Sequence, residues 1–433
     1  LHGEEKHDQR RTVLSLVEKN EIGQKRGVKK GGERGIRTPG ELPHNGFQDR
    51  RLKPLGHLSV FLNFTKQVAN VTIGLRQLRE SAKVSSMIER IKQKAQLSLR
   101  ILVQMIVAPP LLFMSAESSG APSFVLRMVG DTYLQKNRTD EELAAIRDGL
   151  AKGADAVVCN LEGVLSDGAV EQHVSKRFLM KMPSRAALDL KKMGISHVTI
   201  ANNHAFDFGQ KGLVETKSSL NRYKIPSAGT GSSVGHALAP LRIATSNGDL
   251  CIFAFSNVYP SEHWATSVRA GIAPGKFELV AHALNQTKNC WSKVVSFHWG
   301  REREFATQKY QNQLANLSVM QGASAVVGHH AHVVQSAEWI LDAPVIYSLG
   351  NFVFDTLPNR SNPEGIAVDL EFSDKGRVDR VKITPWHVNN RMNRFHPKPM
   401  QSESQYSTGI NSRIGKLNCT KGMIPWICKL GVK

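Results

Sequence analysis

Three imidazoles crowd the run "GHHAH" at residues 328–332, where His329, His330 and His332 follow the apolar stretch Ala325-Val326-Val327. The same event recurs along the chain, with an apolar run ending in a residue type that binds metals. Asp131 follows "VLRMVG", Asn160 and Glu162 follow "AVVC", and Asn202, Asn203 and His204 follow "HVTIA". His298 follows "VVSF" and Asn351 follows "VIYSLG". Carboxylates, a carboxamide and imidazoles together suit borderline or hard divalent ions such as Zn, Mn or Fe, and no Cys pattern points to a structural zinc. Two such ions sharing a carboxylate would activate water and stabilise both the attacking and the leaving oxygen. His330 and His332, two apart, are spaced to serve adjacent ions, whereas His204 is the candidate to protonate a leaving group. Taken singly, each residue reads more plainly as a turn residue, a helix cap or a packed histidine. His197, His263, His282 and His387 are read that way. The argument for a site is that so many ligand types collect where apolar runs end.

From Phe124 onward, short β-rich runs alternate with amphipathic helices. "FVLRMVGD", "ADAVVCNLE", "SHVTIANNH", "LCIFAFSN", "SKVVSFHWG", "ASAVVGHH", "APVIYSLGN", "IAVDLEFS" and "VDRVKITPWHV" read as strands. "TDEELAAIRDGLAKG" reads as a helix capped by Thr139 or Asp140 and stopped by Gly153, and "SRAALDLKKMG" as one capped by Ser184. "QKGLVETKSSLNRY" reads as a third, and "QKYQNQLANLSVMQG" as a fourth with Tyr310, Leu314, Leu317 and Met320 on one face. This alternation predicts a largely parallel sheet covered by helices on both faces, with ligands gathering at the carboxyl edge of the strands.

The chain has 433 residues, of which 41% are hydrophobic, ample for a large core. Its net charge of +20 is uneven, since residues 1–100 alone carry a surplus of 11. Such a charge is compatible with nucleic acid or an anionic polymer as partner, but charge alone argues solubility and non-specific attraction rather than function. No specific nucleic-acid partner is expected, because aromatic and Arg residues do not interleave and no nucleic-acid module appears. Cys159 and Cys251 lie in apolar runs and read as small buried hydrophobes, while Cys419 and Cys428 are positioned to pair in an exported protein.

Residues 1–86 lack apolar periodicity, and "GGERGIRTPG" (31–40) with "GFQDRRLKPLGHLS" (46–59) resembles the translation of a tRNA gene. They are therefore expected to be a disordered, non-native gene-model extension. Residues 87–121 run from a basic stretch through "ILVQMIVAPPLLFM" to "SAESSGA". That order is expected of a signal peptide or an N-terminal membrane anchor, which makes the protein exported: periplasmic, extracellular or membrane-anchored.

The motifs "GD" (130–131), "NLEG" (160–163), "ANNHAFDFGQKGLVET" (201–216), "HWGRERE" (298–304), "GHHAHVVQ" (328–335) and "YSLGNFVFD" (347–355) resemble, in this order, those of the CapA, or poly-gamma-glutamate capsule biosynthesis, family. That family lies in the calcineurin-like metallophosphoesterase superfamily. The resemblance implies a four-layer α/β/β/α sandwich over residues 122–400, followed by a C-terminal tail at 401–433. It implies metal ligation by Asp131, Glu162 as the bridging carboxylate, Asn203, His298, His330 and His332, with His204 as the acid partner and Asp207 supporting it. Tyr133 stands where the wider superfamily places a ligating His, which leaves one or two ions open. The function implied is a metal-dependent hydrolase-like protein of capsule or exopolymer synthesis, acting on a phosphoester or a gamma-amide beside the synthesis and export machinery. The competing reading is a non-catalytic accessory protein that holds an anionic polymer. Peptide mapping of the native protein tests the N-terminal expectation: peptides should begin at or after Met87, and abundant peptides from residues 1–86 would refute it.

Overall fold

The computed structural model describes residues 123–168, 176, 178–355, 364–388, 397–403, 405–420 and 422–430, so the expectations for residues 1–86 and 87–121 lie outside the described residues. Strand β1 (Phe124–Tyr133) is buried along its whole length. Helix α1 (Asp140–Leu150) starts at a capping box in which the Thr139 hydroxyl accepts the Glu142 N–H while the Glu142 carboxylate accepts the Thr139 N–H. Strand β2 (Ala156–Leu161) follows, then the short pair β3 (Val164–Leu165) and β4 (Lys181–Met182). Helix α2 (Ala186–Lys192) begins later than its sequence suggests. Ser184 bonds Asp167 through both its N–H and its hydroxyl, so it is not available as a cap. Strand β5 (His197–Thr199), helix α3 (Gly209–Arg222), β6 (Ser227–Ala228), β7 (Thr230–Gly231) and the short helix α4 (Val234–Ala237) complete the first half.

The second half runs through β8 (Leu241–Thr245), β9 (Gly248–Ser256), β10 (Gly271–Ile272), α5 (Phe277–Gln286), β11 (Ser292–His298), α6 (Lys309–Met320) and β12 (Ala325–His329). It continues through β13 (Ala337–Ile340), β14 (Ala343–Ile346), β15 (Asn351–Phe354), β16 (Glu364–Phe372) and β17 (Val378–His387). The chain then adds β18 (Lys398–Pro399), α7 (Gln405–Arg413) and β19 (Trp426–Lys429). Instead of one sheet there are two large ones: the first is parallel from β1 to its edge strand β6 and antiparallel on its other side, and the second is parallel at its centre and antiparallel at both edges. The first has the order β18-β17-β16-β1-β2-β5-β6, with β15 also pairing β1 and β19 pairing β17. The second has the order β13-β14-β12-β11-β9-β8.

Alternation along the strands of the second sheet defines the layers. Ile252, Ala254, Val294, Ala325, Val327 and Ile346 join a core with the first sheet and with Leu143, Ile146, Leu190, Leu213 and Leu220 of α1–α3. Their neighbours Phe253, Phe255, Val295, Phe297, Val326 and Val345 join a second core with Val280 and Leu284 of α5 and Leu314 and Val319 of α6. Successive residues of a strand point to opposite faces, so the second sheet lies between two cores and the order is α/β/β/α. On α6 the buried face is Gln311, Leu314, Ala315, Ser318 and Val319, whereas Met320, expected on the apolar face, is exposed. Among the described residues no helix is long and apolar enough to cross a membrane.

Two further differences concern the cysteines and the tail. Cys251 is buried as expected, but it forms a disulfide with Cys290, while Cys419 pairs with Cys428 and only Cys159 is free among the described residues. Residues beyond 400 do not stand apart, because β19 pairs with β17 and buries Trp426 and Cys428, while Ile410, Ile414 and Leu417 enter the main core. Replacing Trp426 with Ala should therefore destabilise the domain by about 3–5 kcal/mol, the usual loss for a buried aromatic. Denaturant unfolding of the variant measures it.

Candidate metal centre

The parallel registers bring the carboxyl ends of both sheets to one place. Asp131 is opposite Asn160 across β1 and β2, and His298 is opposite His329 across β11 and β12. Close backbone approach makes the turns possible. A Cβ on Gly130 would lie 2.1 Å from the Gly350 oxygen, and one on Gly328 would lie 1.9 Å from the Tyr347 oxygen. Only glycine fits at such distances, and each of these glycines leads into the site. His330 (φ +86°) and His332 (φ +55°) occupy the left-handed region. For residues other than glycine this conformation costs of order 1–3 kcal/mol each. It is held by the His330 N–H donating to Asp131 Oδ2 (3.0 Å) and the Arg303 N–H donating to the Ala331 carbonyl (2.7 Å).

Two sets of ligand atoms result, and Glu162 belongs to both. One comprises Glu162, His298 and His330, the other Asp131, Glu162 and His332, and within each set the atoms lie within 4.8 Å of one another. Ligands 2.0–2.2 Å from a common ion are at most about 4.4 Å apart, so only small movements would close either set. Asn203 joins the first through its Oδ1, 2.8 Å from His298 Nε2. Asn160 donates to Asp131 Oδ1 (2.8 Å), and His332 Nδ1 lies 2.9 Å from Asn351 Oδ1. All the residues expected to bind metal are thus gathered here, five of them in the two sets and Asn203 beside them.

The donors fit a divalent cation. Glu162 Oε2 and His330 Nδ1 are buried with no hydrogen-bond partner. Each such orphan costs about 1–3 kcal/mol, more when charged, unless a cation or donor meets it. His329 is buried 3.4 Å from Asp131 and lies outside both sets. Tyr133 is buried and donates its hydroxyl to the Lys181 carbonyl (3.0 Å), so it takes a structural role where the superfamily offers a ligand.

Burial governs the protonation of the cluster. It pushes the Glu162 carboxyl well above the ordinary carboxylate range, assisted by the neighbouring Asp131 charge and opposed by His332. Burial acts in the same direction on Asp131, but hydrogen bonds and charges from His329 and His332 outweigh it and hold that carboxyl well below its ordinary value. Burial lowers His298 well below 6.5 and lowers His330 to about 3, both reinforced by neighbouring imidazoles. His332 is raised to about 10, because Glu162 and Asp131 overcome its burial.

Beside the cluster, Asp207 Oδ2 lies 2.8 Å from His204 Nδ1 and also accepts the Met180 N–H (2.9 Å). Burial would raise the Asp207 carboxyl, yet its bonds to His204 and Lys176 hold it below the ordinary range, so it is an acceptor and Nδ1 carries the proton. Among the described residues, no hydrogen bond engages Nε2 of His204. Burial lowers the His204 pKa despite Asp207, which keeps the ring neutral at pH 7. Lys176 was not singled out by sequence, since one lysine in "SKRF" shows no pattern; its ammonium lies 2.5 Å from Asp207 Oδ1.

The model of the bacterial capsule synthesis protein PGA_cap family matches residues 125–356. The PGA biosynthesis protein CapA of Bacillus subtilis is 25% identical over 287 residues, covering 65% of this chain and 74% of that protein. The capsule biosynthesis protein CapA of Bacillus anthracis is 26% identical over 258 residues, covering 58% of this chain and 61% of that protein. Among solved structures, a novel phosphatase from Mycoplasma pneumoniae is 14% identical with a TM-score of 0.38, covering 67% of this chain and 98% of that one.

The protonation pattern gives a test of the donor set. An ion in either set must meet an ionised Glu162, and one in the second set must also displace the proton on His332, so binding should release protons, about one or more per ion at pH 7. Because protons compete for the same atoms, affinity should fall as pH drops from 8 to 6. Titration calorimetry with Mn or Zn in buffers of different ionisation enthalpy measures both effects.

Proposed function

The chain belongs to the bacterial capsule synthesis protein PGA_cap family, and from that premise we propose that it is a metal-dependent hydrolase of capsule or exopolymer synthesis, acting on a phosphoester or a gamma-amide bond. The observation that carries this reading is Glu162, a buried carboxylate shared by two ligand sets beside an Asp207–His204 pair. Asp131, Glu162, Asn203, His298, His330 and His332 would hold one or two divalent ions such as Mn, Zn or Fe. When bound, such ions supply Lewis-acid polarisation of the scissile group and lower the pKa of water.

The chain's own residues supply the proton transfer. His204 is neutral with Nδ1–H directed at Asp207, so Nε2 faces the substrate as a base. An anion entering the site raises the pKa of the ring, and the imidazolium that forms gives its proton to the leaving oxygen or nitrogen. Asp207 stabilises that imidazolium without taking the proton.

Export agrees with the two disulfides, Cys251–Cys290 and Cys419–Cys428, since such bonds persist in oxidising compartments. The second reading, a polymer-binding accessory protein of the synthesis and export machinery, draws on the basic surplus of 9 that remains outside residues 1–100. Metal content and turnover separate the two. Replacing His330 and His332 together with Ala should abolish both. His204→Ala should keep the metal while turnover falls by something like 10²–10⁴-fold, the usual scale for general acid–base catalysis. If wild type with full metal content cleaves no phosphoester or gamma-glutamyl substrate, yet binds poly-gamma-glutamate as tightly as the double variant does, the accessory reading replaces the enzyme.

A further inference from the structure

Lys176 reaches the site from the segment that joins β3 to β4. Its ammonium donates to Asp207 Oδ1 (2.5 Å) and to the Asn203 carbonyl (2.8 Å), and it lies 3.3 Å from His204 Nδ1. Asp207 is fully buried, and its other oxygen accepts from Met180 N–H and from His204. The carboxylate therefore has both oxygens committed, and two of its three donors come from residues 176 and 180 rather than from the turn that carries it.

This arrangement has a geometric consequence. A carboxylate held only by His204 could turn about its terminal bond, because that torsion is broad for Asp. With Oδ1 anchored by Lys176 and Oδ2 by Met180, it stays in the orientation that accepts from Nδ1. The same ammonium fixes the carbonyl of Asn203, the residue immediately before His204, so one cation holds both the partner of the imidazole and the peptide that carries it. The Lys176 side chain is only 16% exposed, so it is not a solvated surface lysine with an incidental contact. Its charge also acts on Glu162 and His330, which places it within electrostatic reach of the ligand sets.

We propose that Lys176 is a positioning residue that locks Asp207 and the Asn203–His204 peptide, so that His204 keeps its proton on Nδ1 and offers Nε2 to the substrate. The catalytic consequence rests on the hydrolase reading above; the geometric one does not. Two measurements on the full chain separate them. In protein labelled with ¹⁵N-histidine, the Nδ1–H resonance of His204, assigned by its disappearance in His204→Gln, should persist in Lys176→Arg. In Lys176→Met it should be lost to solvent exchange or give way to the Nε2–H tautomer. An unchanged resonance in Lys176→Met overturns the proposal.

The second measurement compares esters of phosphate. Ethyl phosphate needs a proton on its leaving oxygen, whereas 4-nitrophenolate departs without one. Lys176→Met should lose something like 10²–10⁴-fold on the ethyl ester and less than about tenfold on the 4-nitrophenyl ester, with Lys176→Arg recovering most of the difference. Equal losses on both esters overturn the positioning role, because general damage to the fold or the metal site would slow both alike. If wild type cleaves neither ester, the phosphoester form of the hydrolase reading falls, and the His204 resonance alone decides the role of Lys176. Should Lys176→Met fail to fold by thermal unfolding, Lys176→Gln takes its place in both measurements.

Discussion

A buried carboxylate at the seam of two sheets is the feature on which the rest of the site depends. Glu162 is 1% exposed, its Oε2 has no hydrogen-bond partner, and the imidazoles of His298 and His332 approach its other oxygen at 3.8 and 3.9 Å. An ionised carboxylate in such surroundings costs several kcal/mol unless strongly compensated, so burial favours its protonated form. A cation shared between two ligand sets would reverse that preference, and it would do so only where the carboxyl ends of both sheets come within reach of one oxygen. The parallel centres of the sheets provide this, because parallel strands direct all their carboxyl ends to the same edge.

Stability elsewhere must offset what the site gives up. The left-handed His330 and His332 and the orphaned polar atoms are each unfavourable by one to a few kcal/mol. They persist because the strands that carry them are buried on both faces by two extensive cores. Rigidity matters here as well as depth. β1 is flanked along its first half by β16 and along its second half by β15, so Asp131 projects from a strand that cannot shift without breaking pairing on either side. The site is thus built on rigid strand ends, with its irregular backbone confined to the turns next to them.

The sequence made the strand ends legible and left the layers hidden. Each candidate followed an apolar run, and that local signal placed Asp131, Glu162, Asn203, His298, His330 and His332 among the strand-end residues beside Asn160, Asn202, His204, His329 and Asn351, while the family resemblance narrowed them to a ligand set. Alternation of strands and helices does not reveal that β9, β11 and β12 belong to a different sheet from β1, β2 and β5. The second sheet came from resemblance rather than from periodicity, because both sheets have the same buried, apolar texture. The disulfide between Cys251 and Cys290 was invisible for a related reason: an apolar strand cysteine looks the same whether it is packed or bonded. The stretch after residue 400 is rich in Ser, Gln and Asn, yet a few buried residues such as Ile410, Leu417 and Trp426 suffice to draw it onto β17. Lys176 had no signature at all, since its role depends on a contact with Asp207 across 31 positions of chain.

The two halves of the site differ in how far they depend on an ion. The metal-ligand half is electrostatically unfinished, with the neutral rings of His298 and His330 and the charged ring of His332 around a carboxylate that burial pushes toward its protonated form. The His204–Asp207–Lys176 half is complete by itself: a cation and a neutral ring meet one anion through bonds of 2.5 and 2.8 Å. Its geometry is therefore set before any ion or substrate arrives, which is the condition for efficient proton transfer, because preorganised groups need no rearrangement when charge develops. On the proposed hydrolase reading, metal loading would govern whether the site can act, while the preformed half would govern where the proton goes. A fold that separates these tasks between different loops could then alter its choice of leaving group through residues near 176–180 without disturbing the strand ends proposed to hold the ions.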